Sequence, residues 1–86
     1  REALAQARGL VARDSTRPEW RFQLGQAEFW VGLVHYEGRG LDSALAHFDA
    51  YLDVARHLVA RDPARAEWQL ELGYAASNIA SVRQAQ

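Results

Sequence analysis

Cysteine and lysine are absent from this chain of 86 residues, and its 10 arginines nearly balance 11 acidic residues, for a net charge of -1. The absence of cysteine excludes disulfide bonds and thiolate metal sites. Because charges of both signs are interleaved along the chain, no basic patch of the kind that binds nucleic acid is formed. Every apolar run is shorter than the roughly 18 residues that a membrane span needs. We therefore expect a cytoplasmic protein that contacts neither nucleic acid nor membrane.

Catalytic and metal-binding patterns are missing as well. The histidines His35, His47 and His57 do not pair at the helical spacing of about three or four residues that aligns two metal ligands. No serine lies in a glycine-flanked elbow, and a phosphate-binding loop would need a lysine. The sequence predicts solvated helix faces at Glu28, Glu37, Asp49 and Asp53. We expect no enzymatic activity, no metal and no cofactor.

The chain repeats itself after 48 residues. The segment LVARDSTRPEW at 10–20 recurs as LVARDPARAEW at 58–68, and 15 of the 38 residue pairs at this separation are identical. Chance would give about three or four identities, so an internal duplication is indicated. The identical pairs include Leu4 and Leu52, Ala7 and Ala55, Trp20 and Trp68, Leu24 and Leu72, Gly25 and Gly73, and Ala27 and Ala75.

Each copy carries apolar residues at helical spacing, in steps of four, three, four and three. We predict that this shared stripe forms the core through Trp20, Leu24, Ala27, Val31 and Val34, and through Trp68, Leu72, Ala75, Ile79 and Val82. The segment between the copies continues the pattern at Leu41, Leu45, Phe48, Leu52, Ala55 and Val59. A spacing of about 3.5 residues suits helices that pack side by side at shallow angles.

Turn and capping residues separate the periodic segments. Gly38 and Gly40 predict a turn, because glycine adopts positive φ at low cost. Asp42 is expected to cap the helix that follows. The repeated LVARD segment ends one helix, and the residues between its aspartate and the tryptophan turn the chain into the next.

The two copies are expected to start that next helix differently. Asp62 is typical of an N-cap and Pro63 of the first helical position. In the first copy, Thr16 and Glu19 match a capping box.

These patterns predict an all-α fold of antiparallel helical-hairpin repeats, forming one unit over residues 1–86 with helices at about 1–13, 17–36, 42–61 and 64–86. Such hairpins bury their apolar faces by stacking on neighbours. Since the chain begins without methionine and ends without a recognisable stop, we expect it to be a piece of a longer protein.

The segment from Val31 to Ala55 resembles the tetratricopeptide repeat family. Val31 and Gly32 resemble the Leu-Gly pair of its first helix, and the glycines of YEGRG resemble its turn. The second helix resembles the family pattern at Ala44, Leu45, Phe48 and Leu52, and Asp62-Pro63 resembles its closing proline. Two departures are Tyr51, where the family prefers a small residue, and Ile79-Ala80, which replaces the Leu-Gly pair.

The period of 48 residues exceeds the usual family period of about 34. About seven extra residues at the end of one helix and seven at the start of the next account for the difference. Because seven residues make nearly two turns, each extension continues the buried face of its helix. LVARDPARAEWQLEL resembles the long-helix variety of this repeat found in bacterial multidomain signalling proteins. The resemblance implies an α-solenoid fragment.

A second stripe differs between the two copies. It reads Phe22, Gln26, Phe29, Leu33 and Tyr36 in the first and Leu70, Tyr74, Ser77, Ser81 and Gln84 in the second. In the family that the chain resembles, these positions line a concave groove for partner segments. The resemblance therefore implies a partner-binding groove of Gln26, Phe29, Leu33, Tyr36, Tyr74, Ser77 and Ser81. The alternative is that Phe29, Leu33 and Tyr36 pack on a neighbouring helix.

The leading hypothesis is a non-enzymatic scaffold for protein–protein interaction in a larger bacterial signalling protein. A groove of aromatic, leucine and serine side chains favours an amphipathic helix or an extended apolar peptide as the partner. The alternative hypothesis is an assembly element, in which apolar faces at open repeat ends join copies of the chain into homo-oligomers.

Overall fold

The computed structural model describes residues 2–14 and 16–86. It consists of four α-helices: α1 at Glu2–Arg13, α2 at Pro18–Glu37, α3 at Leu41–Arg61 and α4 at Ala66–Ala85. The described ranges contain no strand, and each helix packs against the next one along the chain. The all-α prediction is therefore confirmed. The observed helix ends lie within two residues of the predicted ones, and the predicted start at residue 1 lies outside the described residues.

The two copies of the repeated segment form the same turn. The backbone N–H of Asp14 donates to the carbonyl of Leu10 over 3.1 Å, and Asp62 N–H donates to Leu58 over the same distance. The residues before the following helices, Arg17 and Arg65, have nearly identical backbone angles, with φ of -86° and -81° and ψ of 111° in both. The sequence duplication is thus a duplication of backbone geometry.

The tryptophans that follow these turns have related surroundings. The guanidinium of Arg17 lies 4.9 Å from the centre of the Trp20 ring, and that of Arg65 lies 4.2 Å from the Trp68 ring. Such stacking orders the first turn of each helix. Trp68 is buried and Trp20 is half-buried.

The predicted side-chain caps are wrong. The residues at the N-caps are Arg17, Gly40 and Arg65, and none of them makes a side-chain capping bond. Asp62 lies at the C-terminal end of α3, since the turn delays the start of α4 to Ala66. Asp42 lies in the first turn of α3, where its negative charge interacts favourably with the helix dipole. It does not cap the helix.

Thr16 does not form the predicted capping box with Glu19. Its backbone N–H and its hydroxyl both donate to the carboxylate of Asp14 instead. These two bonds hold the pKa of Asp14 below its ordinary value. Their contribution to stability is therefore present at neutral pH and is lost as the pH falls through the folded-state pKa.

The described core contains three apolar clusters, and the buried residues of each come from two neighbouring helices. Their buried members are Leu4, Ala7 and Ala27 between α1 and α2, and Val54, Leu58 and Trp68, with Ala44, Phe48, Ile79 and Val82, between α3 and α4. Because α3 packs against α2 as well as α4, it contributes more of the described buried residues than any other helix. The sequence predicted several of these positions through the shared stripe.

Val34 is an exception on that stripe. The sequence predicted it in the core, yet it is 67% exposed, whereas its equivalent Val82 is fully buried. Among the described residues, α3 packs along α4 as far as Val82, whereas α1 packs on α2 as far as Val31.

Candidate functional site

A cavity of about 390 Å³ opens between α2, α3 and α4. We call it the groove and define it by the residues that line it: Gln26, Phe29, Tyr51, Glu71, Tyr74, Ser77 and Asn78. Its volume is within the range of pockets that hold a side chain or a small ligand.

The groove exists because α2 and α4 touch near their N-terminal ends and leave a gap further along. The rings of Phe22 and Trp68 lie 5.5 Å apart at the point of contact. One turn beyond it, the side-chain amide of Gln26 donates to Oε1 of Glu71 over 2.6 Å. Between the two helices α3 supplies Tyr51, so three helices build the site.

Four of the seven residues predicted for a partner-binding groove line the cavity: Gln26, Phe29, Tyr74 and Ser77. The others do not. Tyr36 packs against the core cluster around Phe48, Leu33 is half-buried elsewhere on α2, and Ser81 donates its hydroxyl to the carbonyl of Ser77.

Phe29 serves both of the roles that the sequence left open. Its ring lies 5.7 Å from that of Tyr51 and 6.3 Å from that of Phe48, which belongs to the core. At the same time it lines the groove. Tyr74 makes no such ring contact in the described chain and is 56% exposed. The α2 side of the groove is therefore partly core, and the α4 side is open.

Sequence reasoning missed Tyr51, Glu71 and Asn78. Tyr51 had been noted only as a departure from the family pattern. Glu71 and Asn78 stand three residues before and four residues after Tyr74, which places all three on one face of α4. The spacing of these three residues could have indicated this face. The second stripe, however, passes through Tyr74 and Ser77 and includes neither Glu71 nor Asn78.

The polar residues of the groove are organised around Glu71. The hydroxyl of Tyr51 donates to Oε1 over 2.7 Å, and Gln26 donates to the same oxygen. Burial, and then the hydrogen bond and the charge of Glu71, raise the pKa of Tyr51 above its ordinary range. The phenol therefore remains a hydrogen-bond donor at neutral pH, and the carboxylate of Glu71 is oriented from two helices.

Asn78 presents a further polar feature. Its Nδ2 atom is buried and has no hydrogen-bond partner among the described residues. The equivalent position in the first copy is Trp30, which is 60% exposed.

A second polar cluster joins α1, α2 and α3 on the other side of α2. The sequence predicted Glu28 on a solvated face, but it is only 3% exposed. His47 Nδ1 lies 2.7 Å from Oε1 of Glu28, and Arg8 Nη2 lies 3.3 Å from Oε2. His35 stacks on His47 with ring centres 5.5 Å apart. The prediction failed because α3 packs over this face of α2 and brings the His47 side chain within hydrogen-bond distance of Glu28.

Within residues 2–14 and 16–86 no group of three or more His, Cys, Asp and Glu side chains has an arrangement that could hold a metal ion. None of the helices in these ranges combines the length and the apolar character that crossing a bilayer requires.

No protein-family model, curated protein or solved structure matches this chain.

Proposed function

We propose that this chain is a non-enzymatic scaffold that binds a protein segment or a neighbouring domain through the groove. The observation that carries the proposal is the exposed, partly apolar groove held open between packed helices, with Tyr74 56% exposed at its edge. An exposed aromatic residue beside a preformed cavity is typical of a binding surface.

The same proposal includes the repeat family of the scaffold, the kind of protein it belongs to and its location. The chain is a fragment of a tetratricopeptide-like solenoid in a larger bacterial signalling protein, and it acts in the cytoplasm. Support comes from the duplicated turn and from the resemblance of the helix pattern to that repeat. Binding a segment needs no rearrangement of the frame, because the groove residues sit on helices that pack in the core.

The partner is a peptide segment that inserts one side chain between Phe29 and Tyr74. Helices that line a shallow groove favour an amphipathic helix, whose apolar face enters while its polar face remains in water. Ser77 and Gln26 at the edges can accept or donate hydrogen bonds to that segment.

The test compares two positions of equal exposure. Leu70 and Tyr74 both lie on α4 and are both 56% exposed, but only Tyr74 lines the groove. Peptides are first selected from a displayed library on the wild-type protein. Their affinity for Tyr74→Ala is expected to fall about tenfold or more, as at an interfacial aromatic anchor, while Leu70→Ala changes it less than about twofold.

Circular dichroism of both variants checks that they fold alike. Tyr74→Ala is a better probe than removal of Phe29, because Phe29 also contacts the core. Equal binding of the selected peptides to the two variants would place their site elsewhere and contradict the proposal.

A second candidate function is self-association, and a specific observation favours it. Trp30 is 60% and Val34 is 67% exposed on neighbouring turns of α2. The equivalent of Val34, Val82, is covered by α3. The exposed face of α2 thus has the apolar character of a surface on which another helix packs, and a second copy of the chain could supply that helix.

A further inference from the structure

Glu71 is the only formally charged residue among the seven that line the groove. It is half-buried, and its hydrogen-bond partners are the neutral side chains of Tyr51 and Gln26. A carboxylate in a partly apolar cavity loses solvation, and neutral donors recover only part of that loss.

Glu28 is a second carboxylate removed from solvent, and its partners differ from those of Glu71. It is contacted by the side chains of Arg8 at 3.3 Å and His47 at 2.7 Å, both capable of carrying positive charge. Glu71 has no such partner among the described residues. The difference leaves a local excess of negative charge in the groove, which favours a cation arriving from outside.

The geometry of Glu71 also leaves an oxygen free for that cation. Both donors bind Oε1, from Tyr51 over 2.7 Å and from Gln26 over 2.6 Å. In the described chain Oε2 takes no hydrogen bond. Because two helices hold the carboxylate in place, the free oxygen is pre-oriented for a donor in the cavity.

The apolar lining adds to the same preference. Phe29 and Tyr74 border the cavity that Glu71 lines, and the face of an aromatic ring attracts a cation electrostatically. A planar guanidinium can stack on a ring and donate to a carboxylate at once, whereas an ammonium group is a compact, strongly hydrated charge. The chemistry of the groove therefore suits arginine better than lysine.

The residues of this site differ between the two copies of the repeat. The equivalent of Glu71 is Gln23, and those of Tyr74 and Ser77 are Gln26 and Phe29. Since Glu71 is replaced by a neutral residue in the first copy, the frame of the repeat does not require its charge.

From these contacts we infer that the groove binds an arginine side chain of the partner peptide, with the guanidinium on Oε2 of Glu71 and against the rings of Phe29 and Tyr74. This inference rests on the proposed function and specifies the chemistry of its ligand.

The test uses two fluorescein-labelled amphipathic peptides of about 12 residues built from leucine, alanine and glutamine. They differ at one central position, which is arginine in the first and citrulline in the second. Citrulline keeps the shape of arginine and lacks its charge. By fluorescence anisotropy the arginine peptide is expected to bind the wild-type protein about tenfold more tightly, as for a charge-assisted hydrogen bond.

Two charge variants locate the effect. Glu71→Gln removes the charge while keeping an oxygen that Tyr51 can donate to, and is expected to bring the affinity ratio of the two peptides close to one. Asp49→Asn removes the same charge from an exposed position of α3 outside the groove, and is expected to leave the ratio unchanged. Circular dichroism and thermal unfolding confirm that each variant is folded.

The outcomes distinguish this inference from the proposed function. If wild type binds both peptides equally and Tyr74→Ala weakens both, the groove binds peptides without selecting arginine, and the inference is overturned alone. If the arginine preference survives in Glu71→Gln, the charge acts elsewhere and the inference is also overturned. If neither peptide binds at about 1 mM, the groove is not a site for amphipathic helices and both proposals fail.

Discussion

Among residues 2–14 and 16–86, Arg39 in the turn between α2 and α3 is the one with left-handed backbone geometry, at a φ of 66°. The sequence suggested that the neighbouring glycines would take this role, yet Gly38 and Gly40 have φ of -84° and -82°. A residue with a Cβ atom loses roughly 1–2 kcal/mol in this conformation. The turn is therefore strained at Arg39, and the hydrogen bond from Gly40 N–H to the carbonyl of His35, 2.8 Å long, helps to hold it.

Arg39→Gly is expected to stabilise the fold by about 0.5–1 kcal/mol, because relief of the left-handed strain exceeds the entropy that glycine adds to the unfolded chain. Thermal unfolding followed by circular dichroism should show an increase in Tm of about 4 °C. Gly38→Ala is the control: its φ is negative, and a Cβ atom there would lie 3.4 Å from the nearest carbonyl oxygen. A decrease in Tm for Arg39→Gly would show that the arginine side chain itself stabilises the turn.

At the scale of the helices, close packing on one face distinguishes α2 from α4. A Cβ atom on Gly32 would lie 2.6 Å from Cε1 of the buried Phe48 ring, whereas one on Gly73 would meet no atom within 4 Å. The equivalent of Gly32 in the second copy is Ala80, which is exposed. α3 packs on this face of α2, and no described helix packs on the corresponding face of α4.

Matched substitutions to alanine should therefore act in opposite directions. Gly32→Ala is expected to destabilise the fold by about 1–3 kcal/mol, because Phe48 cannot move without disturbing the core. Gly73→Ala is expected to stabilise it by about 0.5–1 kcal/mol through higher helix propensity. Urea unfolding measures both. A loss of stability in Gly73→Ala would mean that this face of α4 is packed against something in solution.

At the scale of the whole molecule, the arrangement of four helices leaves apolar surface open on α2. Trp30 and Val34, on neighbouring turns of α2, are 60% and 67% exposed. Burial of such residues stabilises an interface by roughly 1.5–3 kcal/mol for each side chain. This is the surface on which the second candidate function depends.

Self-association through this face predicts a sedimentation coefficient that increases with protein concentration. Val34→Glu should return the protein to a monomer, because a carboxylate cannot be buried there without a partner. Ala60→Glu introduces the same charge at an exposed position of α3 and should leave the association unchanged. A wild-type protein that sediments as a monomer at every concentration would exclude the second candidate and leave the groove proposal intact.

Much of the architecture could be predicted from local patterns. The helical spacing located all four helices, and the repeated LVARD segment located two equivalent turns. The caps were predicted incorrectly because the turn geometry places Arg17 and Arg65 before the helices, and a favourable residue such as Asp62 does not by itself decide where a helix starts. In the candidate site, Tyr74 and Gln26 were predicted from the second stripe. Glu71 and Tyr51 could not be predicted without knowing which helices meet.

The sequence by itself determined the number of helices, their apolar faces and the duplication of the turn, because hydrophobic periodicity and turn chemistry are encoded within a few neighbouring residues. Only the tertiary structure decided that Glu28 is buried between the side chains of Arg8 and His47, that Val34 is exposed, and that Gln26, Tyr51 and Glu71 share one hydrogen-bonded site. These outcomes depend on which helix lies against which face and on how far it extends, and such contacts join residues that are far apart in the chain.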